Sequence, residues 1–253
     1  MVFNSLTEAP RNVKECIDWL IALRGTDAEK NLKALGTAVH TFLADKPVGK
    51  MQVPALEKIK KISKQFLKKP CLKKLRHVKV ILGKFNKSLH KNPDKRFKRP
   101  FHFQPIDNEN VIQTKGVTAI DIAENLADVV SGCEKFLRFI KNPDQYRSAY
   151  SSEATWEASC SKDPEACAVI FVGIAPMLYA GLLSLRKMSN GGVWGEPNTM
   201  EGKRARELLK TFGYKKAEGR AGMRYSDITD ALEDTTTRML DTMYDLCGFW
   251  AFY

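Results

Sequence analysis

Residues 166–185 run for twenty positions without a charged side chain, and no other part of the chain goes so long without one. At about 1.5 Å per residue, ~20 apolar residues are long enough to cross a bilayer as a helix. The same pattern describes the central helix of a helical domain, surrounded on every side by its neighbours. Pro176, Gly173 and Gly181 interrupt the stretch, and Cys167, Tyr179 and Ser184 dilute it. Spanning helices tolerate proline and glycine, so the flanks decide the reading. Asp163-Pro164-Glu165 is a helix start, with Asp as N-cap, Pro at the first helical position and Glu in the first turn. Arg186 and Lys187 fall in the last turn, where cations suit the helix dipole. Caps at both ends indicate a buried helix, with a kink expected at Pro176. The competing expectation is an integral protein anchored by 166–185.

Helical patterns fill most of the remainder. Asn12 to Glu15 and Thr26 to Glu29 read as capping boxes. Each precedes an apolar face at helical spacing: Val13, Cys16, Ile17, Leu20 and Leu23, then Leu32, Leu35, Val39 and Phe42. The short join at Gly25 makes these two helices an antiparallel hairpin. Pro54 opens a third helix with Leu56, Ile59, Ser63, Phe66 and Leu67 inward and Lys58, Lys60, Lys61, Lys64 and Lys68 outward. A fourth carries Leu75, Val78, Leu82, Phe85 and Leu89, and Asn92-Pro93 stops it. Thr118 restarts helix, with Ile122, Leu126, Val129, Cys133, Phe136 and Ile140 inward. A shorter helix is expected around Trp156. Ser189 to Gly192 reads as a turn, Asn198 to Glu201 as a further capping box before Leu208, Leu209 and Phe212, and Ser226 as the start of the last helical region. No stretch alternates at period two. The chain therefore reads as all-α, a multi-helix bundle of about eight or nine helices around the apolar helix. Two organisations fit: a basic helical region at 1–92, a loop or linker at 93–117 and a second helical region at 118–253, or one continuous domain. The ending Phe249-Trp250-Ala251-Phe252-Tyr253 either folds back into the core or leads into further polypeptide.

The net charge of +12 is unevenly placed. Residues 58–99 hold seventeen Lys or Arg and one acid, Asp94, a segment of +16 that leaves −4 for the rest. Such a block is either a wet helix face or the footprint of a polyanion. Lys60, Lys61, Lys64, Lys68, Lys73 and Lys74 are the candidate contacts. The polyanion could be nucleic acid, anionic lipid or a sulfated glycan. Lysine greatly outnumbers arginine and aromatics do not interleave on the polar face, so nucleic acid is not favoured, though the sequence does not separate the three. The function that this block implies is that of an intracellular or peripheral polyanion-binding helical protein.

Other chemistry is sparse. Cys16, Cys71, Cys133, Cys160, Cys167 and Cys247 are irregularly spaced and form no C-x-x-C, which gives no pattern for zinc. Their plain reading is as small buried hydrophobes. Cys160 and Cys167 flank the N-cap of the apolar helix and form the candidate disulfide. No Gly-rich phosphate loop, H-E-x-x-H or G-x-S-x-G occurs, so neither a cofactor nor a metal is expected. His40, His77, His90 and His102 are scattered. Asp227 with Asp230, and Glu233 with Asp234, read as solvating carboxylates on an exposed helix face rather than an acid–base pair. Asn86-Lys-Ser88 is a glycosylation pattern placed within a helix rather than a loop. The first residues lack the basic and apolar regions of a conventional signal peptide.

Four phrases carry a resemblance: Ser5 to Pro10 with Asn12 to Leu20, Ser152 to Trp156, Asp163 to Leu182, and Leu246 to Tyr253. Together they resemble the N-terminal region of the variant erythrocyte surface antigens of piroplasm parasites. The resemblance touches both ends and the middle of the chain and includes no catalytic signature. It implies a non-enzymatic antigen displayed on the infected red cell, which serves antigenic variation and adhesion to a host endothelial receptor. It also implies a second subunit of the same family and a membrane anchor outside this chain; without that anchor the chain would be soluble. Six cysteines fall short of the cysteine-dense ectodomain that the family carries.

Overall fold

Residues 166–185 can go without charge because the surrounding helices exclude water from nearly all of them. In a computed structural model, which describes residues 2–86, 109–189, 200–219 and 237–253, they form the middle of one helix, Pro164–Ser189. Its segment Pro164–Lys187 has a mean hydropathy of 2.2. Among the described residues it is the one helix long and apolar enough to cross a membrane, and 83% of its most apolar stretch is buried inside the fold. The Asp163 carboxylate accepts from the Ala166 amide at 3.2 Å, the cap that the sequence indicates.

In chain order the helices are α1 (Val13–Arg24), α2 (Ala28–Ala44), α3 (Pro54–Leu67), α4 (Pro70–Lys73), α5 (Arg76–Asn86), α6 (Val111–Lys115), α7 (Ala119–Ile140), α8 (Trp156–Ser159), α9 (Pro164–Ser189), α10 (Met200–Phe212), α11 (Thr237–Asp245) and α12 (Phe249–Phe252). Eight of these have nine residues or more, and the described residues contain isolated β-bridges but no strand. The protein is an all-α bundle around a central apolar helix. The expected turn at 189–192 lies largely outside the described residues. The cap at Asn198 and the helix start at Ser226 lie outside them altogether. The expected loop at 93–117 is helical in part: α6 opens on Asn110, whose side chain accepts from the Ile112 and Gln113 amides. The second capping box is also corrected. Asp27, not Thr26, caps α2 by accepting from the Lys30 amide. Thr118 and Asp121 do form a reciprocal box at the start of α7.

α1, α2, α3, α5 and α11 all pack on α9, and α2 also lies along α7. Glycines set how close these helices come. A Cβ on Gly173 would lie 2.5 Å from Ile59 Cγ2 of α3, and one on Gly181 would lie 2.6 Å from Val13 Cγ2 of α1. The two glycines that dilute the apolar stretch are thus the notches at which α3 and α1 cross it. Pro176 brings no N–H to the preceding turn and leaves the Val172 carbonyl without its helical donor. One residue on, the Ser63 hydroxyl of α3 donates to the Gly173 carbonyl at 2.6 Å and ties the two helices together. A spanning helix facing lipid would leave that serine and both notches without a partner.

The two ends of the chain close the bundle. The Leu6 carbonyl accepts from Trp19 Nε1 at 2.7 Å, and Phe3 pairs its backbone with Ala149 and Ser151. The aromatic tail turns inward at Gly248, which has φ 64°, a left-handed conformation suited to glycine. Phe249, Trp250, Phe252 and Tyr253 are all buried. Phe252 stacks on Phe42, and the amides of Gly49 and Met51 donate to the carbonyls of Trp250 and Ala251. Side chains from Phe3 to Tyr253 belong to one hydrophobic cluster, which draws on both of the regions expected from the sequence.

Candidate functional site

The basic block folds into α3, α4 and α5. Between residues 54 and 86 the sequence has one acid, Glu57, and eleven Lys or Arg. α3 buries Leu56, Ile59, Ser63, Phe66 and Leu67. At 100° per residue, Lys58, Lys61, Gln65 and Lys68 fall on the opposite stripe, and all four are exposed. Lys73, Lys74, Arg76 and Lys79, from α4 to α5, are exposed as well. Among the described residues none of these seven cations forms an ion pair. The part of the block beyond Asn86, with His90, lies outside the described residues, as do His102, Asp227, Asp230, Glu233 and Asp234.

Two of the six expected contacts are not on this face. Lys60 is buried, 6% exposed, because its helical position falls toward the core. Its ammonium bonds Glu57 Oε1 at 2.6 Å, donates to the Phe252 carbonyl, and lies 4.5 Å from the centre of the Tyr253 ring. It holds the aromatic tail in place. Lys64 is half-buried and donates to the Phe85 carbonyl at 3.3 Å, so it ties α3 to the end of α5. Lys69 likewise caps α10 through the Thr211 carbonyl at 3.0 Å. Lys84 is buried, and desolvation pulls its ammonium down to about 8. Lys61, Lys68, Lys73 and Lys74 remain as the exposed members of the expected set.

The candidate disulfide is formed. Cys160, at the end of α8, is bonded to Cys167 in the first turn of α9, with 5.8 Å between their Cα atoms. The bridge clasps the Asp163 cap. Cys16, Cys133 and Cys247 are buried free thiols, and desolvation raises all three above the ordinary thiol range.

Three further arrangements were not visible in the sequence. First, His77 Nε2 lies 2.8 Å from Ser184 Oγ, a pairing that resembles a base and a nucleophile. Ser184 already gives its proton to the Ala180 carbonyl at 2.6 Å, so Nε2 must be the donor and has no lone pair free to act as a base. Burial, then the charge of Lys187, lowers the imidazole to about 4, and among the described residues no carboxylate orients it. The pair joins α5 to α9.

Second, Lys14, Asp18 and Glu218 form a buried charge cluster. Lys14 Nζ is 3.1 Å from Asp18 and 3.8 Å from Glu218, and it donates to the Arg147 carbonyl at 2.6 Å. Asp18 also accepts from the Tyr146 hydroxyl and from the Ala149 amide at 2.9 Å. Burial and then the Asp18 charge push the Tyr146 phenol far above its usual range. The i,i+4 spacing of Lys14 and Asp18 was the available signal, but spacing alone does not report burial.

Third, an open groove of about 610 Å³ lies between the start of α3, the start of α9 and residues 7–9. Val53, Ile59, Ile62, Val169 and Ile170 line it, with Lys58, Asp163 and Glu165 at the rim. Among the described residues no three His, Cys, Asp or Glu side chains gather in a way that could hold a metal ion. The exposed lysines of this segment carry the charge asymmetry of the sequence onto the described surface. No family model, curated protein or solved structure matches the chain.

Proposed function

We propose that this chain is a non-enzymatic recognition domain of the variant erythrocyte surface antigen kind, displayed on the infected erythrocyte and adhering to host endothelium. One observation supports the reading: the phrases that carry the resemblance interlock as scaffold. Trp19 of the first phrase bonds the Leu6 carbonyl, and the Leu6 amide in turn donates to Ser159 Oγ, beside Trp156 of the second. The third phrase is the buried α9, stacked on Trp19 through Phe171. The fourth is the buried aromatic tail. A variable antigen needs this division, since packing constrains the interior while exposed side chains change at little cost. The binding partner is a receptor on the endothelial surface, and a second subunit of the same family completes the complex. The test is a titration of the purified chain onto cultured endothelial cells. Saturable binding is the expected result. No binding above that of an unrelated helical protein of equal charge would overturn the reading.

A further inference from the structure

We infer that the exposed stripe of Lys58, Lys61 and Lys68 along α3, aided by the exposed cations that follow it in sequence, binds a sulfated polysaccharide, a linear polyanion of the cell surface. The inference rests on the adhesive reading above and names the ligand class and residues of the contact. Lys58, Lys61 and Lys68 lie three and seven residues apart on one stripe of α3, about 4.5 and 10.5 Å along the helix axis. They form a ridge about 15 Å long that winds through about 80° of the helix surface and ends on the C-cap Lys68. Four more exposed cations, Lys73, Lys74, Arg76 and Lys79, follow in sequence past the end of α3. The one acid of the segment, Glu57, is neutralised by the buried Lys60. Among the described residues no cation of the ridge forms an ion pair, although Asp163 and Glu165 share the groove rim with Lys58; the excess of positive charge is a field that attracts an extended anion.

The composition of the face selects among polyanions. Reading nucleic acid takes aromatic platforms for bases or planar guanidinium groups for bidentate phosphate contacts. The face has no exposed aromatic side chain and one arginine. An anionic membrane attracts lysine clusters by charge alone, and an amphipathic helix docks there more firmly when apolar side chains enter the headgroup boundary. The exposed large hydrophobics of the described residues are Val2, Val48 and Ile120, none of them on α3, α4 or α5. Flexible, strongly hydrated ammonium groups in a row suit a wet, linear, flexible chain of sulfate groups.

The experiment is salt-dependent binding of the whole chain to heparin. The variant K58E/K61E/K68E is compared with K33E/K162E/K216E, which makes the same change in net charge at exposed lysines elsewhere. Circular dichroism checks that both retain helix. Wild type should lose affinity linearly with the logarithm of salt concentration. The face variant should lower that slope by roughly 2–3 and weaken binding more than tenfold, while the control keeps the wild-type slope. Equal loss in both variants, or no loss in the first, would overturn the inference. So would tighter binding to duplex DNA or to phosphatidylserine vesicles than to heparin at matched ionic strength. Endothelial cells treated with heparinase separate the two readings. Undiminished adhesion after treatment sinks the polysaccharide and keeps the adhesive function. No adhesion to untreated cells sinks the adhesive function, while the heparin column still reports on the face.

Discussion

Gly181→Ala sets two local effects of opposite sign against each other. Inside an exposed helix, replacing glycine with alanine stabilises by about 1 kcal/mol. At this position the new methyl would meet Val13 Cγ2 at 2.6 Å and Cγ1 at 3.2 Å. Val13 is fully buried in α1, so neither helix can move without disturbing the core. Overpacking of this kind costs about 1–3 kcal/mol, which leaves the single variant between neutral and ~2 kcal/mol less stable. Val13→Ala alone removes two buried methyl groups at about 0.8 kcal/mol each and leaves a cavity, a loss of about 2 kcal/mol. With both changes the clash is gone, because the nearest remaining atom is Val13 Cβ at 3.5 Å, an ordinary contact. The two substitutions should therefore couple favourably by about 1–3 kcal/mol. Urea titration reads the four proteins through tryptophan fluorescence, since Trp19 stacks on Phe171 of α9. Midpoints are compared at constant slope. Additivity within about 0.5 kcal/mol, or a stabilised single Gly181→Ala, would refute the claim that Gly181 is a crossing notch.

Asp18→Asn should destabilise by about 2–3 kcal/mol, because it removes the nearer carboxylate and leaves the buried Lys14 ammonium with Glu218 at 3.8 Å; chemical denaturation measures it. Replacing both Cys160 and Cys167 with serine should cost about 2.5 kcal/mol from loop closure alone, and reductant should cause a similar loss in wild type but none in the variant. His77 stays neutral in the fold with its titration lowered to about 4, below the ordinary 6.5. As pH falls through 6.5 the unfolded chain takes up a proton that the folded chain refuses. Stability from this residue is therefore complete above about 6.5 and is lost progressively toward 4. An NMR titration with a midpoint near 6.5 would contradict the buried placement.

The helices were legible because their signals are local. The caps Asn12, Thr118 and Asp163 and the stop at Gly25 each act within one turn, and the apolar faces repeat over many turns. Where two capping residues competed, at Thr26 and Asp27, spacing alone chose the wrong one. The candidate site was legible only in part. Charge density marked the block from residue 58 onward, and the exposed Lys61, Lys68, Lys73 and Lys74 came from that count. Lys60 did not, because at its helical position the stem is drawn inward by Glu57, the Phe252 carbonyl and the Tyr253 ring. Two of those partners lie some 190 residues away in sequence. Lys64, His77 and Ser184 share this dependence on distant partners.

By itself, then, the sequence determined an all-helical chain, its most apolar segment, its charge asymmetry and the two cysteines flanking a cap. These follow from backbone hydrogen bonding and residue periodicity within a few turns. Only the tertiary structure decided that the apolar helix is enclosed by its neighbours, that its glycines are notches, that the aromatic tail is core and that Lys14 and Lys60 are internal. Each depends on which surfaces meet, and burial is a property of packed pairs of helices that no single segment encodes.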